Sequence, residues 1–415
     1  MAEKTLLLKN IWLKGKTTDI LIRGNRFASI GAQTATEADE VIDCTGKSIF
    51  PAFYNAHTHA AMTILRGYGD DMPLYKWLTE YIWPYEATLT AEDIRQASLL
   101  AGLEMIKSGT VFFNDMYWQI EQTLDVAAQM GLRAAIGLTM MDNLGAEVIE
   151  NNFKFAETWS DPTNGRLQLA IAPHAIYTVS RQLFTRCAEV ARANGMKLHF
   201  HIAETELEVA NCVKEHGTTP IRLLRDWGVL GSNCIAAHVV HADEDEMKIL
   251  ADYGVTVAHN PCSNMKLNSG IFNAPKMIEA GVNIALGTDG ASSNDSLSML
   301  EEMKFASLLA KMQYGCDCIT KYQVLDWASL NSAKAFDIDA GVIAEGRLAD
   351  AVIADMDDVS LLPCHSMMAN WLYSADTRCI NMVICDGRIL MRDGRVNGEE
   401  EIIANFKRHF AARKH

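Results

Sequence analysis

The sequence lacks any apolar run that approaches the roughly 18 residues of a membrane span. Its first apolar stretch, residues 6–8, is also too short for a signal peptide. The ten cysteines form no C-x-x-C pair and no regular spacing, which argues against a disulfide framework and favours reduced, buried thiols. We therefore expect a cytoplasmic protein that does not bind membranes.

Positive charge is also scarce. The chain has 37 lysines and arginines against 52 aspartates and glutamates, so its net charge is −15. Nucleic acids and anionic membranes bind basic patches, and this balance argues against both as partners. The expected partners are a neutral or cationic small molecule and further copies of the chain in a homo-oligomer.

The two ends of the chain have similar patterns of short strands. Residues 1–50 and 346–415 contain short strand patterns separated by turn residues, and neither end has enough strands to bury a sheet alone. We expect them to pair as one small β-sandwich domain, with a terminal helix at the second end. Residues 51–345 are long enough for an α/β barrel of about 250 residues.

This middle region alternates apolar, β-branched runs with helical patterns, as repeated β-α units do. The eight predicted strands are residues 49–55, 110–115, 134–139, 167–172, 197–202, 233–238, 255–259 and 282–286. Predicted helices such as 91–108 and 180–194 are each followed by a C-cap glycine, Gly109 and Gly195. Eight strands predict a closed, TIM-like (β/α)₈ barrel, whose first strand is followed by a substrate-covering insert, residues 60–89.

Two histidines, His57 and His59, end the first predicted strand. Residues two apart on a strand point the same way, so both imidazoles would aim at one point, where a metal ion could bind. A pair of surface histidines would give the same local pattern. The other strand ends decide between these interpretations.

In such a barrel the chemistry lies at the carboxyl ends of the strands. The polar residues found there are His57, His59, His174, His201, His238 and Asp289. Three imidazoles and a carboxylate, from His57, His59, His201 and Asp289, suit Zn²⁺ or Fe²⁺ with a position left for water. Each residue alone could be a core histidine or a helix-capping aspartate, but their joint placement favours a metal site.

The surrounding motifs resemble the amidohydrolase superfamily, and within it the family of 5′-methylthioadenosine/S-adenosylhomocysteine deaminases. The resemblance spans nearly the whole chain and rests on residues 55–59, 172–174, 199–205, 237–238, 259–267 and 286–294. The metal motifs are specific to the superfamily only, whereas His-Ile-Ala-Glu-Thr followed by His-Asn-Pro-x-Ser-Asn-x-Lys-Leu is narrower. The resemblance implies a hydrolase that deaminates adenine nucleosides to the inosine derivative and ammonia.

The metal count follows from an absence. Two-metal members of the superfamily bridge their ions with a modified lysine at the end of strand 4, where this chain has His174 and no lysine nearby. We therefore expect one ion per subunit, zinc or alternatively Fe²⁺. The other large class of zinc deaminases carries H-x-E with P-C-x-x-C, and neither motif occurs here.

The resemblance also implies catalytic roles. Asp289 would contact the metal, accept the proton as hydroxide adds to C6 of the adenine ring, and pass it to the departing ammonia. His238 would hold the hydroxide and stabilise its developing charge. Glu204 would protonate the adjacent ring nitrogen, the alternative being a solvated loop carboxylate.

Further residues are expected to contact the substrate. His174 would contact the purine or ribose, Glu86 would accept ribose hydroxyls, and Glu204 would contact the ring. Trp77 is either an aromatic wall of the site or a core tryptophan. Ser293 either contacts the ring edge or caps a helix.

Two other functions fit parts of this pattern. The same scaffold could serve a deaminase or chlorohydrolase acting on guanine, pterins or triazines. A non-catalytic relative could keep the barrel as an interaction scaffold, but it would be expected to lose ligands, and this chain has the full set.

The segment after the third strand bears on the 5′ substituent. Family members that accept S-adenosylhomocysteine meet its carboxylate with arginines there, whereas residues 138–152 of this chain contain no arginine or lysine and three acidic residues. Met140, Met141 and Leu144 would suit an apolar tail. We therefore predict a preference for uncharged 5′ substituents, unless an arginine from elsewhere, such as Arg66, supplies the contact.

Overall fold

Two β-sheets of nine strands each organise the described part of the chain, residues 3–31 and 37–413 of a computed structural model. The first five strands are β1 Thr5–Leu13, β2 Lys16–Arg23, β3 Arg26–Ile30, β4 Glu40–Asp43 and β5 Lys47–Pro51. The next nine are β6 Phe53–His59, β7 Thr110–Tyr117, β8 Arg133–Met140, β9 Leu167–Pro173, β10 Lys197–Ile202, β11 Cys234–His238, β12 Thr256–His259, β13 Asn283–Leu286 and β14 Asp289–Gly290. The last four are β15 Ala351–Asp355, β16 Ile380–Cys385, β17 Arg388–Arg392 and β18 Arg395–Val396.

Strands β6 to β14 form the parallel sheet of the barrel. Each strand from β6 to β12 pairs with its successor along the chain, and β14 returns to pair with β6. Gly287 and Thr288 separate β13 from β14, so the two short strands together occupy the eighth position and close the ring. A Cβ on Gly287 would lie 2.8 Å from the backbone oxygen of His57, which explains the glycine at this junction. The predicted barrel fold is confirmed.

The first predicted strand, residues 49–55, is divided between the two sheets. Its start belongs to β5, which pairs antiparallel with β15, and only its end belongs to β6. Pro51 closes β5 because proline cannot donate a hydrogen bond to a ladder, and the chain enters the barrel sheet two residues later.

Strands from both chain ends form the second sheet, in the order β18-β17-β16-β15-β5-β1-β2-β3 with β4 beside β1. This sheet surrounds a separate apolar core that includes Leu8, Ile20, Phe27, Ile353 and Met382. The expected pairing of the two ends is therefore observed, although the predicted β domain also includes residues 1–2, 32–36 and 414–415, which lie outside the described residues.

A buried charged network joins the second sheet to the barrel. The guanidinium of Arg133, at the start of β8, donates to Asp350 at 2.8 Å and to Asp386 at 2.7 Å. The Tyr54 hydroxyl of β6 donates to the same Asp350 carboxylate. Arg133 and Asp350 side chains are only 4% and 0% exposed, so each charge depends on its partner.

Helices surround the barrel. Those up to β10 are α1 Leu74–Trp77, α2 Trp83–Glu86, α3 Ala91–Lys107, α4 Ile120–Met130, α5 Ala146–Thr158 and α6 Arg181–Ala193, with a π turn at Leu78–Ile82 and 3₁₀ turns at Ala60–Leu65 and Asp142–Leu144. The next are α7 Glu206–His216, α8 Pro220–Asp226, α9 Glu244–Asp252, α10 Pro261–Lys266, α11 Ala274–Ala280 and α12 Met299–Tyr314. The last are α13 Lys321–Ala328, α14 Leu330–Ala335, α15 Met367–Tyr373 and α16 Glu399–Ala412, with 3₁₀ turns at Val359–Leu361 and Thr377–Cys379.

Local capping explains where the predicted helices begin and end. A capping box between Thr90 and Asp93 starts α3, and Ser180 caps the start of α6. Gly109 and Gly195 follow these helices in the left-handed conformation, with φ of +87° and +63°. Within the described ranges, no helix is long and apolar enough to cross a membrane.

The insert that follows β6 folds into short helical turns rather than an open loop. Its apolar side chains, among them Trp77, Leu78 and Ile82, form a core cluster that we call the lid cluster, together with Ala61, Met62, Ile64, Leu65, Ile94, Ala97, Tyr117 and Leu267. Trp83 and Tyr85 pack against this cluster.

Candidate active site

The carboxyl ends of the barrel strands bring the four expected metal ligands together. Asp289 Oδ1 lies 3.2 Å from Nε2 of both His57 and His59. His201, from β10, places its Nε2 3.3 Å from His59 Nε2. Three elements that are distant in sequence therefore present three imidazole nitrogens and a carboxylate to one point.

Backbone carbonyls fix the orientation of two of these rings. His59 Nδ1–H donates to the carbonyl of Met116 at 2.6 Å, and His201 Nδ1–H donates to that of His174 at 2.9 Å. With Nδ1 donating in both rings, Nε2 of each ring is the nitrogen that faces the cluster and could bind an ion there. Such hydrogen bonds are typical of histidines that bind a metal.

The third ring gives a direct test of whether a metal fits. His57 Nε2 is fully buried and has no hydrogen-bond partner among the described residues, while its Nδ1 lies 2.8 Å from His199 Nε2. Burial lowers the pKa of His57 to about 4, so the ring is neutral at physiological pH. A buried neutral imidazole with an unpaired nitrogen facing a carboxylate suits a divalent ion.

The electrostatics of the cluster favour a positive charge at its centre. Burial lowers the pKa of His59, but hydrogen bonding to Asp289 outweighs it and raises that pKa to about 9. Although burial opposes ionisation of Asp289, the adjacent imidazoles of His57 and His59 hold its pKa well below the usual range. The carboxylate is therefore ionised and attracts a cation.

Two serines hold the second oxygen of Asp289. Ser263 Oγ donates to Oδ2 at 2.6 Å and Ser293 Oγ donates at 3.0 Å. Ser293 was expected either to contact the ring edge of a substrate or to cap a helix. Its buried hydroxyl instead donates to Asp289, and Ser293 is not among the described residues that line the cavity. The motifs that contain these serines thus support the carboxylate.

His238 lies between the carboxyl groups of Glu204 and Asp289. Its Nε2 lies 3.8 Å from Glu204 Oε2 and 4.0 Å from Asp289 Oδ2. Its Nδ1 lies 2.8 Å from Asn264 Oδ1, which orients the ring. The ligand atoms of His57, His201 and His238 also lie within 4.8 Å of one another, so His238 is close enough to the cluster to contact what binds there.

Glu204 is buried, being 5% exposed, and is therefore not a solvated loop carboxylate. Ser269 Oγ donates to its Oε1 at 3.1 Å. Glu208, one helical turn later, accepts hydrogen bonds from the backbone N–H of Ala203 and Glu204 at 2.9 and 2.8 Å. Burial raises the pKa of Glu204, which favours the protonated acid.

A cavity opens over this cluster. The residues that line it are His59, Met62, Leu74, Trp77, Leu78, Trp83, Glu86, Met116, Tyr117, Trp118, Thr139, Met141, His174, Tyr177, His201, Glu204, His238, Leu267 and Asp289. Aromatic and apolar side chains dominate, as in most small-molecule sites. None of these described lining residues is a lysine or an arginine.

The expected substrate residues lie on this cavity. Trp77 is both a wall of the cavity and part of the lid cluster, so its two predicted interpretations are compatible. Glu86 Oε1 is buried without a hydrogen-bond partner among the described residues, and burial raises the pKa of this carboxyl. His174 Nδ1 donates to Thr178 Oγ1 at 2.9 Å, which leaves its Nε2 as an acceptor.

The segment after β8 differs from the prediction. Met141 lines the cavity, but Met140 is fully buried beside Asn152 of α5, and Leu144 is also absent from the lining. Arg66 does not reach the cavity, because its guanidinium pairs with Glu104 and donates to the backbone of Asp295.

Several site residues were not identified from the sequence. Ser263 and Asn264 stood in a quoted motif without a role, and their adjacency on α10 lets them hold Asp289 and His238 at once. The role of Glu208 could have been predicted, since it follows Glu204 by four residues at the start of a helix. No sequence pattern indicated that Trp118 and Tyr177 line the cavity.

Comparison with known proteins gives consistent results. The model of the Amidohydrolase family matches residues 48–390. The chain is 41% identical over 387 residues to 5′-deoxyadenosine deaminase of Methanosarcina mazei, covering 92% of this chain and 89% of that protein. It is 43% identical over 386 residues to 5-methylthioadenosine/S-adenosylhomocysteine deaminase 1 of Archaeoglobus fulgidus, covering 92% and 91%. Among solved structures, an adenosine deaminase of Xanthomonas campestris with bound zinc has a TM-score of 0.93 at 28% identity, covering 99% of each chain.

Proposed function

The chain belongs to the amidohydrolase family, and from this premise we propose that it is a metal-dependent hydrolytic deaminase of adenosine-type nucleosides. The observation that carries the proposal is the cluster of His57, His59, His201 and Asp289, with Glu204 and His238 beside it on one cavity. The names of the relatives point to 5′-deoxyadenosine, 5′-methylthioadenosine and related nucleosides as substrates.

His57, His59, His201 and Asp289 would hold one divalent ion per subunit, which we propose to be zinc. Three histidine nitrogens and one carboxylate oxygen match the donor set that zinc takes in catalytic sites. When bound, such an ion lowers the pKa of water to roughly 7 and so supplies a hydroxide nucleophile at neutral pH. A second metal is not expected, because the end of β9 presents His174 and no lysine.

Hydrolytic deamination replaces the exocyclic amine of the purine by oxygen from water. The ring nitrogen beside the attacked carbon must gain a proton, and so must the departing amine. Glu204, with its raised pKa, is suited to donate the first proton. Asp289 is ionised, so its carboxylate is free to accept a proton from water and pass it to the amine. Two carboxyl groups whose environments separate their pKa values commonly divide acid and base work in this way.

His238 complements these two groups. Its Nε2 faces Glu204 and Asp289, and its Nδ1 is tied to Asn264, so the ring cannot swing away from the reacting atoms. We assign it the role of holding the nucleophile and stabilising the charge that develops during attack.

The cavity suits a nucleoside. Trp77 and Trp83 offer faces for the purine or the 5′ group, and Glu86 with its unpaired Oε1 offers an acceptor for ribose hydroxyls. His174 can accept a hydrogen bond through Nε2. We therefore propose Glu86, His174, Trp77 and Glu204 as substrate contacts.

The proposal is tested by ammonia release from adenosine, 5′-deoxyadenosine, 5′-methylthioadenosine, guanine and a pterin. A chlorinated triazine is tested in parallel by chloride release. We expect ammonia and the inosine derivative from the adenosines. Faster turnover of guanine, the pterin or the triazine would overturn the assignment of substrate class while leaving the amidohydrolase fold unaffected.

A further inference from the structure

Helix α16 packs against the lid cluster. The rings of Phe406 and Phe410 stack at 5.9 Å on one face of this helix and pack against the lid cluster. At the start of the helix, Glu399 accepts a hydrogen bond from Lys107 Nζ at 2.8 Å, which anchors it to α3. The helix therefore touches the elements that cover the cavity without reaching the cavity itself.

The last turn of α16 meets a buried carboxylate. Asp93 is 2% exposed and forms the capping box of α3 with Thr90. The same carboxylate accepts a hydrogen bond from His409 Nε2 at 2.7 Å and forms an ion pair with Arg413. The Arg413 side chain is itself only 14% exposed, so this pair is largely shielded from water.

Arg413 also contacts the insert that follows β6, residues 60–89. Its Nη2 donates to Thr88 Oγ1 at 2.9 Å, and Thr88 Oγ1 donates in turn to the carbonyl of Tyr85 at 2.7 Å. The guanidinium carbon lies 5.1 Å from the centroid of the Tyr85 ring, within range of a cation-π contact. One guanidinium thus connects Asp93, Thr88 and Tyr85.

These contacts bear on Glu86, the neighbour of Tyr85. Glu86 ends a continuous helical run that begins at Leu74 and includes the π turn Leu78–Ile82, and its carbonyl accepts from Leu89 N–H at 3.0 Å. Because helix ends fray, contacts from other elements help to fix the position of this last turn. Arg413 supplies such contacts from outside, while the Glu86 side chain faces the cavity with Oε1 unpaired.

We propose that Arg413 is a positioning residue for Glu86 and thereby sets the affinity of the site for the ribose of its substrate. This inference rests on the proposed function, because it assigns Glu86 to the ribose hydroxyls. Arg413 acts through Asp93, Thr88 and Tyr85 and does not touch the substrate. The C-terminal helix is accordingly part of the binding apparatus.

The test compares R413A and R413K with the wild type on adenosine and on 2′,3′-dideoxyadenosine, which lacks the ribose hydroxyls. R413A is expected to raise KM for adenosine roughly tenfold, the size expected for a lost hydrogen bond to a charged group, with kcat changed less than about twofold. The dideoxy compound should keep its KM. R413K, which retains charge but not the fork that spans Asp93 and Thr88, should give an intermediate rise.

R408A is the matched control. Arg408 lies on the exposed side of α16 and pairs with Asn405 of the same helix, so its loss should leave both KM values unchanged. The double variant E86Q/R413A should have the same KM for adenosine as E86Q alone, since both changes remove the same contact between Glu86 and the ribose.

An equal rise of KM on both compounds, a change confined to kcat, or full additivity with E86Q would overturn the proposal. So would a lowered Tm with unchanged KM, which would make Arg413 purely structural. If R413A does not fold, R413K decides by the same KM comparison. A wild-type protein that releases no ammonia from any adenosine would instead refute the proposed function.

Discussion

The Nε2 atoms of His59 and His201 lie 3.3 Å apart, although the Nδ1 atom of each ring donates to a backbone carbonyl. The two Nε2 atoms therefore face each other at hydrogen-bond distance, and Asp289 adds a negative charge beside them. The raised pKa of His59, about 9, indicates that this position favours a positive charge, which a metal ion bound between the rings would supply. The barrel strands thus hold these rings in the geometry of a metal site.

Glu204→Gln should leave the metal bound and lower kcat by roughly 10² to 10⁴, the usual contribution of a general acid. The change keeps the size of the side chain but removes the proton that the raised pKa of this carboxyl retains. Metal analysis and steady-state kinetics measure the two effects. Exposed Glu206→Gln is the matched control and should behave as the wild type.

A loss of substrate affinity with unchanged kcat in the Glu204 variant would contradict this role. Glu204 would then only position the purine ring.

The cavity should favour substrates with an uncharged 5′ group. No lysine or arginine is among its described lining residues, and Arg66 is committed to Glu104. A homocysteine carboxylate placed near Glu204 and Glu86 would lack a cationic partner. We expect higher kcat/KM for 5′-methylthioadenosine than for S-adenosylhomocysteine. Equal or higher efficiency with the latter would show that a basic group from elsewhere enters the site.

Arg133→Ala should lower the free energy of unfolding by about 3–5 kcal/mol, because it leaves Asp350 buried without its charged partner. Urea unfolding measures this loss. Arg347→Ala, which removes an exposed ion pair with Asp339, should cost no more than about 1 kcal/mol. Similar losses in both variants would contradict the importance of burial for the network.

Acid should destabilise the protein through its buried neutral histidines. Burial lowers the pKa of His259 to about 3, whereas an unfolded histidine has a pKa near 6.5. Between these values the unfolded state binds one more proton at this histidine than the folded state does. The contribution of His259 to the free energy of unfolding is therefore fully present above pH 6.5 and is lost as the pH falls toward 3. In metal-free protein, His259→Leu should reduce the slope of unfolding free energy against pH by up to about 1.4 kcal/mol per unit between pH 4 and 6. The exposed His365→Leu should leave the slope unchanged, and equal slopes in all three proteins would contradict this account.

Much of the site could be predicted because its geometry follows from strand periodicity. His57 and His59 share a face of β6, and the end of β10 places His201 at the same edge of the sheet. The division of the first run at Pro51 could have been recognised, since proline ends a ladder.

Other features depend on packing between distant elements. Every residue of β8 is buried, so its sequence shows no alternation that would distinguish the cavity side from the helix side. Only the structure shows that Met141 lines the cavity while Met140 contacts α5. The contact between Arg413 and Thr88 joins the last described residue to one that lies 325 positions earlier, and no sequence pattern predicts a contact over such a separation. Neither of the two roles predicted for Ser293, ring-edge contact or helix capping, included a hydrogen bond to Asp289, because that contact depends on the turn between the two residues.

The central claim is that one metal, held by His57, His59, His201 and Asp289, supports deamination. Metal-free protein titrated with zinc while ammonia release from an adenosine substrate is followed tests it most directly. We predict that activity rises linearly to one equivalent of zinc per chain and then stays constant, and that His201→Ala shows neither tight binding nor activity. Full activity without metal, or a requirement for two equivalents, would contradict the account.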